Sequence, residues 1–202
     1  PVLKFRNDPE DGWEIAVFGD SISHGGGHIS YGPADHEFSW LSYLDFPAIN
    51  LSMSGDTSET MLDRFEADVL PFHPRYLLIM NGTNSLRAGV SAVEVIAALD
   101  ELKKRCLAND IRPIFLTLPP INPENIARAF DEPTTDDWQT QFSLVNTFLR
   151  TEVHIDVAAS FSAQPLLPTE LALDGLHEDV LGKQLIAQTV NRAWPETKQQ
   201  AD

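Results

Sequence analysis

Short, largely apolar runs alternate with longer amphipathic stretches along almost the whole chain, and this alternation narrows the possible folds sharply. The runs expected as strands are Glu14–Phe18, Ala48–Met53, Tyr76–Met80, Pro113–Leu118 and Val153–Val157. They are largely apolar rather than alternating, as strands covered on both faces should be. Between them, Thr57–Leu70 places Met61, Leu62, Phe65 and Val69 on one side. Ser91–Leu107 carries Val93, Ile96, Leu99, Leu102 and Cys106 at helical spacing. It opens with the capping box Ser91-x-x-Glu94 and closes on Lys103, Lys104 and Arg105, where a helix dipole favours cations. Trp138, Phe142, Val145 and Leu149 form a third stripe, and Leu181, Leu185, Ile186, Val190 and Ala193 a fourth. Strand–helix repetition of this kind predicts an α/β fold, a parallel sheet wrapped by helices on both faces. Such sheets bind ligands outside the carboxyl ends of their strands.

With 202 residues, 43% of them hydrophobic, the chain suits one domain. Its expected bounds are 13–195, after an extended lead-in over 1–12 and before a polar tail over 196–202. The net charge of −16, from 14 basic and 30 acidic residues, argues against a nucleic-acid partner. No stretch approaches the ~20 apolar residues of a membrane span. Cys106 is the sole cysteine, so an internal disulfide and a cysteine zinc site are both excluded. The chain begins at Pro1 without an initiator Met. This fits a processed or excised form and leans towards an extracytoplasmic place of work.

The first apolar run ends in Gly19-Asp20-Ser21, which delivers a serine to the carboxyl end of a strand. A serine hydroxyl becomes a nucleophile only beside a base, and the base needs an orienting partner. Of the six histidines, His177 stands apart because Asp174 precedes it by three residues in "LDGLHEDV". One short turn can set that carboxylate against the imidazole. Two further segments leave successive strands. "SMSGDTS" offers Gly55 for close backbone approach, and "NGTNS" offers the Asn84 amide as a donor to a developing oxyanion. Singly, each has an ordinary structural reading: a capped helix start, a turn glycine, a turn asparagine, a structural Asp-x-x-His. Their order, with three of them following successive strands, favours a site.

Together the four blocks resemble those of the SGNH hydrolases, also called GDSL-type lipases and esterases. Ser21 matches in "FGDSIS", Gly55 in "SMSGDTS", Asn84 in "GTNS" and His177 in "DGLH", with Asp174 as the acid. The resemblance runs from about Ile15 to about Val190. It implies a three-layer, flavodoxin-like α/β/α sandwich with a five-stranded parallel sheet. It implies Ser21 as nucleophile, His177 as base and Asp174 as its orienting acid. The oxyanion hole would consist of the Ser21 and Gly55 N–H groups with the Asn84 amide. No metal or organic cofactor is implied. One departure is Ser85, where many members carry Asp.

"HGGG" at His24–Gly27 invites comparison with α/β-hydrolases, but it follows the serine and no G-x-S-x-G occurs. His24, His28 and His36 lack the paired carboxylates and fixed geometry of a metal site. His73 and His154 read as structural. The loops His24–Ser39, with Tyr31 and Phe38, and Pro119–Asp137, with Phe130, are expected to frame the pocket. Both are polar, which suits a small-molecule or carbohydrate ester with a short acyl group such as acetyl. Alternatives are an acyltransferase with a sugar acceptor, a lipase or thioesterase for longer chains, and a catalytically inactive glycan-binding module.

Overall fold

The computed structural model describes residues 8–25, 35–162 and 164–202. Five strands form its centre: β1 (Ile15–Gly19), β2 (Ile49–Asn50), β3 (Tyr76–Met80), β4 (Arg112–Leu116) and β5 (His154–Ile155). All neighbours are parallel, in the order β2-β1-β3-β4-β5. Every residue of β1 and β3 is buried, and the two strands pair from Ile15↔Tyr76 to Gly19↔Met80. Continuous apolar runs thus became central strands, covered above and below.

The edge strands are shorter than their apolar runs. Beyond β2, the N–H groups of Leu51 and Met53 still bond to the carbonyls of Val17 and Gly19, but the regular ladder has ended. This carries the chain straight towards Gly55. At the other edge, Phe115 and Thr117 donate to Val153 and Ile155.

Among the described residues the strands are flanked by the α-helices α1 (Ser21–His24), α2 (Ser58–Asp68), α3 (Thr83–Arg87), α4 (Ala92–Ala108), α5 (Pro123–Ala129), α6 (Trp138–Leu149) and α7 (Val180–Ala201). Helices α2, α4 and α6 pack side by side, and α7 lies against β4 and β5 beside the Trp40–Tyr43 turn. The result is a three-layer α/β/α fold. The Ser91–Glu94 capping box forms as expected, each side chain bonding the other residue's backbone N–H.

Two expectations need correction. Val93 is 76% exposed and Leu181 59% exposed. The buried stripe of α4 runs through Ala92, Val95, Leu99, Leu102 and Cys106, so Val93 sits about 140° from its centre. The stripe of α7 runs through Ile186, Ala187, Val190 and Trp194, and Leu181 in the first turn faces outward. Residues 196–201, expected as a polar tail, form the end of α7, and Asp202 bonds both Arg75 and Tyr76. The short helix α3 has no counterpart among the expected amphipathic stretches. Helix α5 occupies a segment read as loop, capped by Asn122 with Pro123 in its first turn. Among the described residues no helix is long and apolar enough to cross a membrane.

Candidate active site

The strand order reverses between β1 and β3, and three of the four sequence blocks leave the sheet around that point. Asp20 caps α1 by accepting the N–H of Ile22 at 3.0 Å, leaving Ser21 as the first helical residue. The turn is therefore both a capped helix start and the presentation of a serine. A first-turn N–H has no acceptor within its own helix, so that of Ser21 remains available. The helix is anchored on its far side, where the Trp40 indole donates to Ser23 Oγ and Asn50 Nδ2 donates to the carbonyl of Ser23.

The last block meets it from the other end of the chain. A turn at Gly175, with φ of +84°, lets Asp174 Oδ1 accept the N–H groups of Leu176 and His177 at 3.0 and 2.8 Å. Its other oxygen, Oδ2, lies 2.8 Å from His177 Nδ1. A carboxylate only accepts, so Nδ1 carries the proton and Nε2 is left as the acceptor. Ser21 Oγ donates to Nε2 at 2.8 Å. Burial works against the Asp174 charge, but its bonds to the His177 ring and to two backbone N–H groups outweigh it. Its carboxyl is held below the usual range. Ser21, His177 and Asp174 are all buried, and the chain from hydroxyl to carboxylate is unbroken.

Gly55 and Asn84 form the more open side. Gly55 adopts φ of +87°, which a glycine takes without strain, and open space lies where a Cβ would project. Asn84 Nδ2 donates one hydrogen to the carbonyl of Asp56 at 2.9 Å, and the amide carries a second. Ser85, the departure from the family pattern, accepts the N–H of Ser58 at 2.9 Å. It thereby ties the start of α2 to α3 and joins the Gly55 and Asn84 blocks. His24 shares a 2.9 Å hydrogen bond with Ser54, which joins the Ser21 and Gly55 blocks. Burial and the nearby Arg64 charge both lower its basicity.

Phe130, expected to frame the pocket, has its ring centre 6.1 Å from that of His177. Tyr31, His28 and the glycines of the histidine–glycine motif beyond Gly25 lie outside the described residues. Among the described residues no group of three or more His, Cys, Asp or Glu is placed to hold a metal ion. Burial pushes the Cys106 thiol up to about 12, so it offers no thiolate nucleophile. Sequence reasoning missed three charged residues packed beneath the site, Asp20, Glu178 and Lys183, all buried. Desolvation pushes the Asp20 carboxyl up to about 6, against the opposing pull of the Ile22 N–H, His177 and Lys183. Glu178 directly follows His177, but nothing in its residue type marks it as buried.

A family model described as GDSL-like lipase/acylhydrolase matches residues 17–185. No curated protein matches the sequence significantly. Among solved structures, a GDSL-like lipase from Bacteroides thetaiotaomicron is 17% identical, with a TM-score of 0.69 over 93% of this chain and 90% of its own. LAE5, an α/β hydrolase enzyme from the metagenome of Lake Arreo, is 24% identical, with a TM-score of 0.68 and coverage of 90% and 94%. Axe2, an acetyl-xylooligosaccharide esterase from a Geobacillus, is 22% identical, with a TM-score of 0.63 and coverage of 90% and 93%.

Proposed function

The chain belongs to the GDSL-like lipase/acylhydrolase family and is an ester-hydrolysing enzyme; from that premise we propose that Ser21, His177 and Asp174 are its catalytic triad and short-chain esters, acetyl groups on carbohydrates foremost, its substrates. The unbroken chain from Ser21 Oγ through both His177 nitrogens to Asp174, with each link at 2.8 Å, carries the reading.

In the proposed cycle, Nε2 of His177 takes the Ser21 proton as Oγ attacks the ester carbonyl carbon. The imidazolium so formed is stabilised by Asp174. Negative charge on the former carbonyl oxygen is met by the N–H groups of Ser21 and Gly55 and by the free hydrogen of the Asn84 amide. The alcohol leaves with the proton from His177. Water, deprotonated by the same imidazole, then attacks the acyl-enzyme and releases the acid and Ser21. Every proton that leaves one oxygen arrives on another through one nitrogen.

Two observations support the substrate class. Axe2 acts on acetylated xylo-oligosaccharides, and a catalytic mutant of that esterase is a serine-to-alanine change. In this chain Gly55 is exposed and Asn84 half-buried, on the side where the carbonyl oxygen would sit. Turnover of nitrophenyl acetate, butyrate and octanoate by wild type and Ser21→Ala is the test. Activity should fall with chain length, and Ser21→Ala should lose at least about 10⁴-fold in kcat. Unchanged turnover by Ser21→Ala would end the triad assignment, and a preference for octanoate would move the substrate to longer lipids.

A further inference from the structure

Beneath the site lies a cluster that the reaction as described does not use. Lys183 and Glu178 are both fully buried, with Glu178 Oε2 3.2 Å from Lys183 Nζ. The contact is an ion pair without good hydrogen-bond alignment, and neither Glu178 oxygen has a hydrogen-bond partner. The Lys183 ammonium donates instead to the backbone carbonyl of Ile22. The buried Asp20 carboxyl feels the charges of Lys183, Glu178 and His177.

This placement is costly in two ways. Lys183 stands near the N-terminus of α7, whose dipole disfavours a cation. Both members of the pair have lost their water, a penalty that well-packed apolar residues of similar volume would avoid. Stability alone therefore gives little reason for the pair.

The connectivity gives a better one. Ile22 directly follows Ser21, and Glu178 directly follows His177. The nucleophile and the base come from segments 156 residues apart, and their own contact is a single 2.8 Å hydrogen bond. We propose that Lys183 is a positioning residue: its buried ammonium, held between the Ile22 carbonyl and the Glu178 carboxylate, ties α1 to the histidine segment and fixes the Ser21–His177 distance. The role rests on the reading of Ser21, His177 and Asp174 as the triad. Lys183 reaches neither substrate nor reacting atoms in this role and acts only through its two neighbours.

The test compares wild type with the double variant Lys183→Met/Glu178→Gln, which removes the pair without stranding a charge. Melting temperature is measured together with kcat and KM on nitrophenyl acetate. A misplacement of about 1 Å can cost about 10²-fold in rate. The double variant should therefore keep its melting temperature while kcat falls about 10- to 100-fold, and KM should stay within about twofold. Should it fail to fold, Lys183→Met alone cuts the tie to Ile22 and leaves a Glu178 carboxyl that can take a proton and stay neutral. It should show the same loss in kcat at unchanged KM. Wild-type kcat in either folded variant overturns the proposal, and a lowered melting temperature with unchanged kcat reduces the pair to a purely structural one. Ser21→Ala is the control that separates the two ideas. If it turns over the ester at the wild-type rate, the triad itself fails. If it is inactive while a folded variant of the pair keeps wild-type kcat, only the role of Lys183 fails.

Discussion

The two sides of the candidate site are built by opposite means. Ser21, His177 and Asp174 are buried, linked by short hydrogen bonds and underlain by the charged residues Asp20, Glu178 and Lys183. Gly55 is exposed and Asn84 half-buried, and they are joined through backbone carbonyls and serine hydroxyls. The difference follows from what each side does in the proposed reaction. Moving a proton along Ser21–His177 needs fixed distances and little competing water, so that side is dry and over-determined. Oxyanion donors must be reached by a substrate oxygen, so that side stays open. The burial of charge near the base is a consequence of the first requirement.

The largest effect should come from breaking the dry side without changing its shape. In Asp174→Asn the remaining carbonyl oxygen can still accept from Leu176 and His177, but the amide would donate to Nδ1 and leave the proton on Nε2. A base in the wrong tautomer cannot take the serine proton. A loss of about 10⁴ in kcat is expected, with the fold retained by circular dichroism. Asn84→Ala removes one donor from the open side and should cost about 10²–10³ in kcat, read from initial rates on the same ester. Equal losses in the two variants would show that the division between the sides is drawn in the wrong place.

How much of this was legible in the sequence divides along similar lines. The central strands could be read because Tyr76–Met80 and Ile15–Phe18 are apolar at every position, which leaves little choice of environment. Asp174 and His177 could be paired because they lie three positions apart, so the local turn settles their contact. The edge strands were over-read, since Leu51 and Met53 continue the apolar residues of Ala48–Met53 while its ladder ends at Asn50. Val93 was misplaced because two apolar registers, one through Ala92 and one through Val93, are both available to α4, and only packing against neighbours selects between them. The charged cluster was illegible for a different reason. Nothing in Lys183 or Glu178 announces burial, and their pairing depends on Ile22, 161 residues away from the lysine. Local spacing carries turns and stripes, whereas long-range charge compensation appears only once the sheet has brought the segments together.

Asp20 allows the dryness to be measured through stability. Its carboxyl is raised from an ordinary value of 3.8 to about 6 because burial disfavours the charged form. The folded protein thus holds this proton more tightly than the unfolded chain. Stability is lost as pH rises from about 4 to 6, and the cost persists above that. Asp20→Asn keeps an oxygen for the Ile22 N–H but carries no charge. It should be more stable than wild type by about 1–3 kcal/mol at pH 8, with the gain vanishing near pH 4. Thermal melts across that range are the measurement. A difference independent of pH would show that the carboxyl is not desolvated.

The smallest effect tests how the open side is held together. Ser85 accepts the Ser58 N–H at 2.9 Å, and Ser58 in turn donates its hydroxyl to Asn81 Oδ1 at 2.8 Å. All three residues are buried, so a lost partner is not replaced cheaply by water. Ser85→Ala should therefore cost about 1–2 kcal/mol in chemical denaturation. It leaves the Asn84 amide bonded to Asp56, so the rate should fall far less than in Asn84→Ala. A Ser85→Ala rate as low as that of Asn84→Ala would mean that the open side depends on distant support as tightly as the dry side does, and the contrast between them would collapse. Stability lost with the rate nearly intact is the outcome that keeps it, because it separates holding the loops together from aiming the donor.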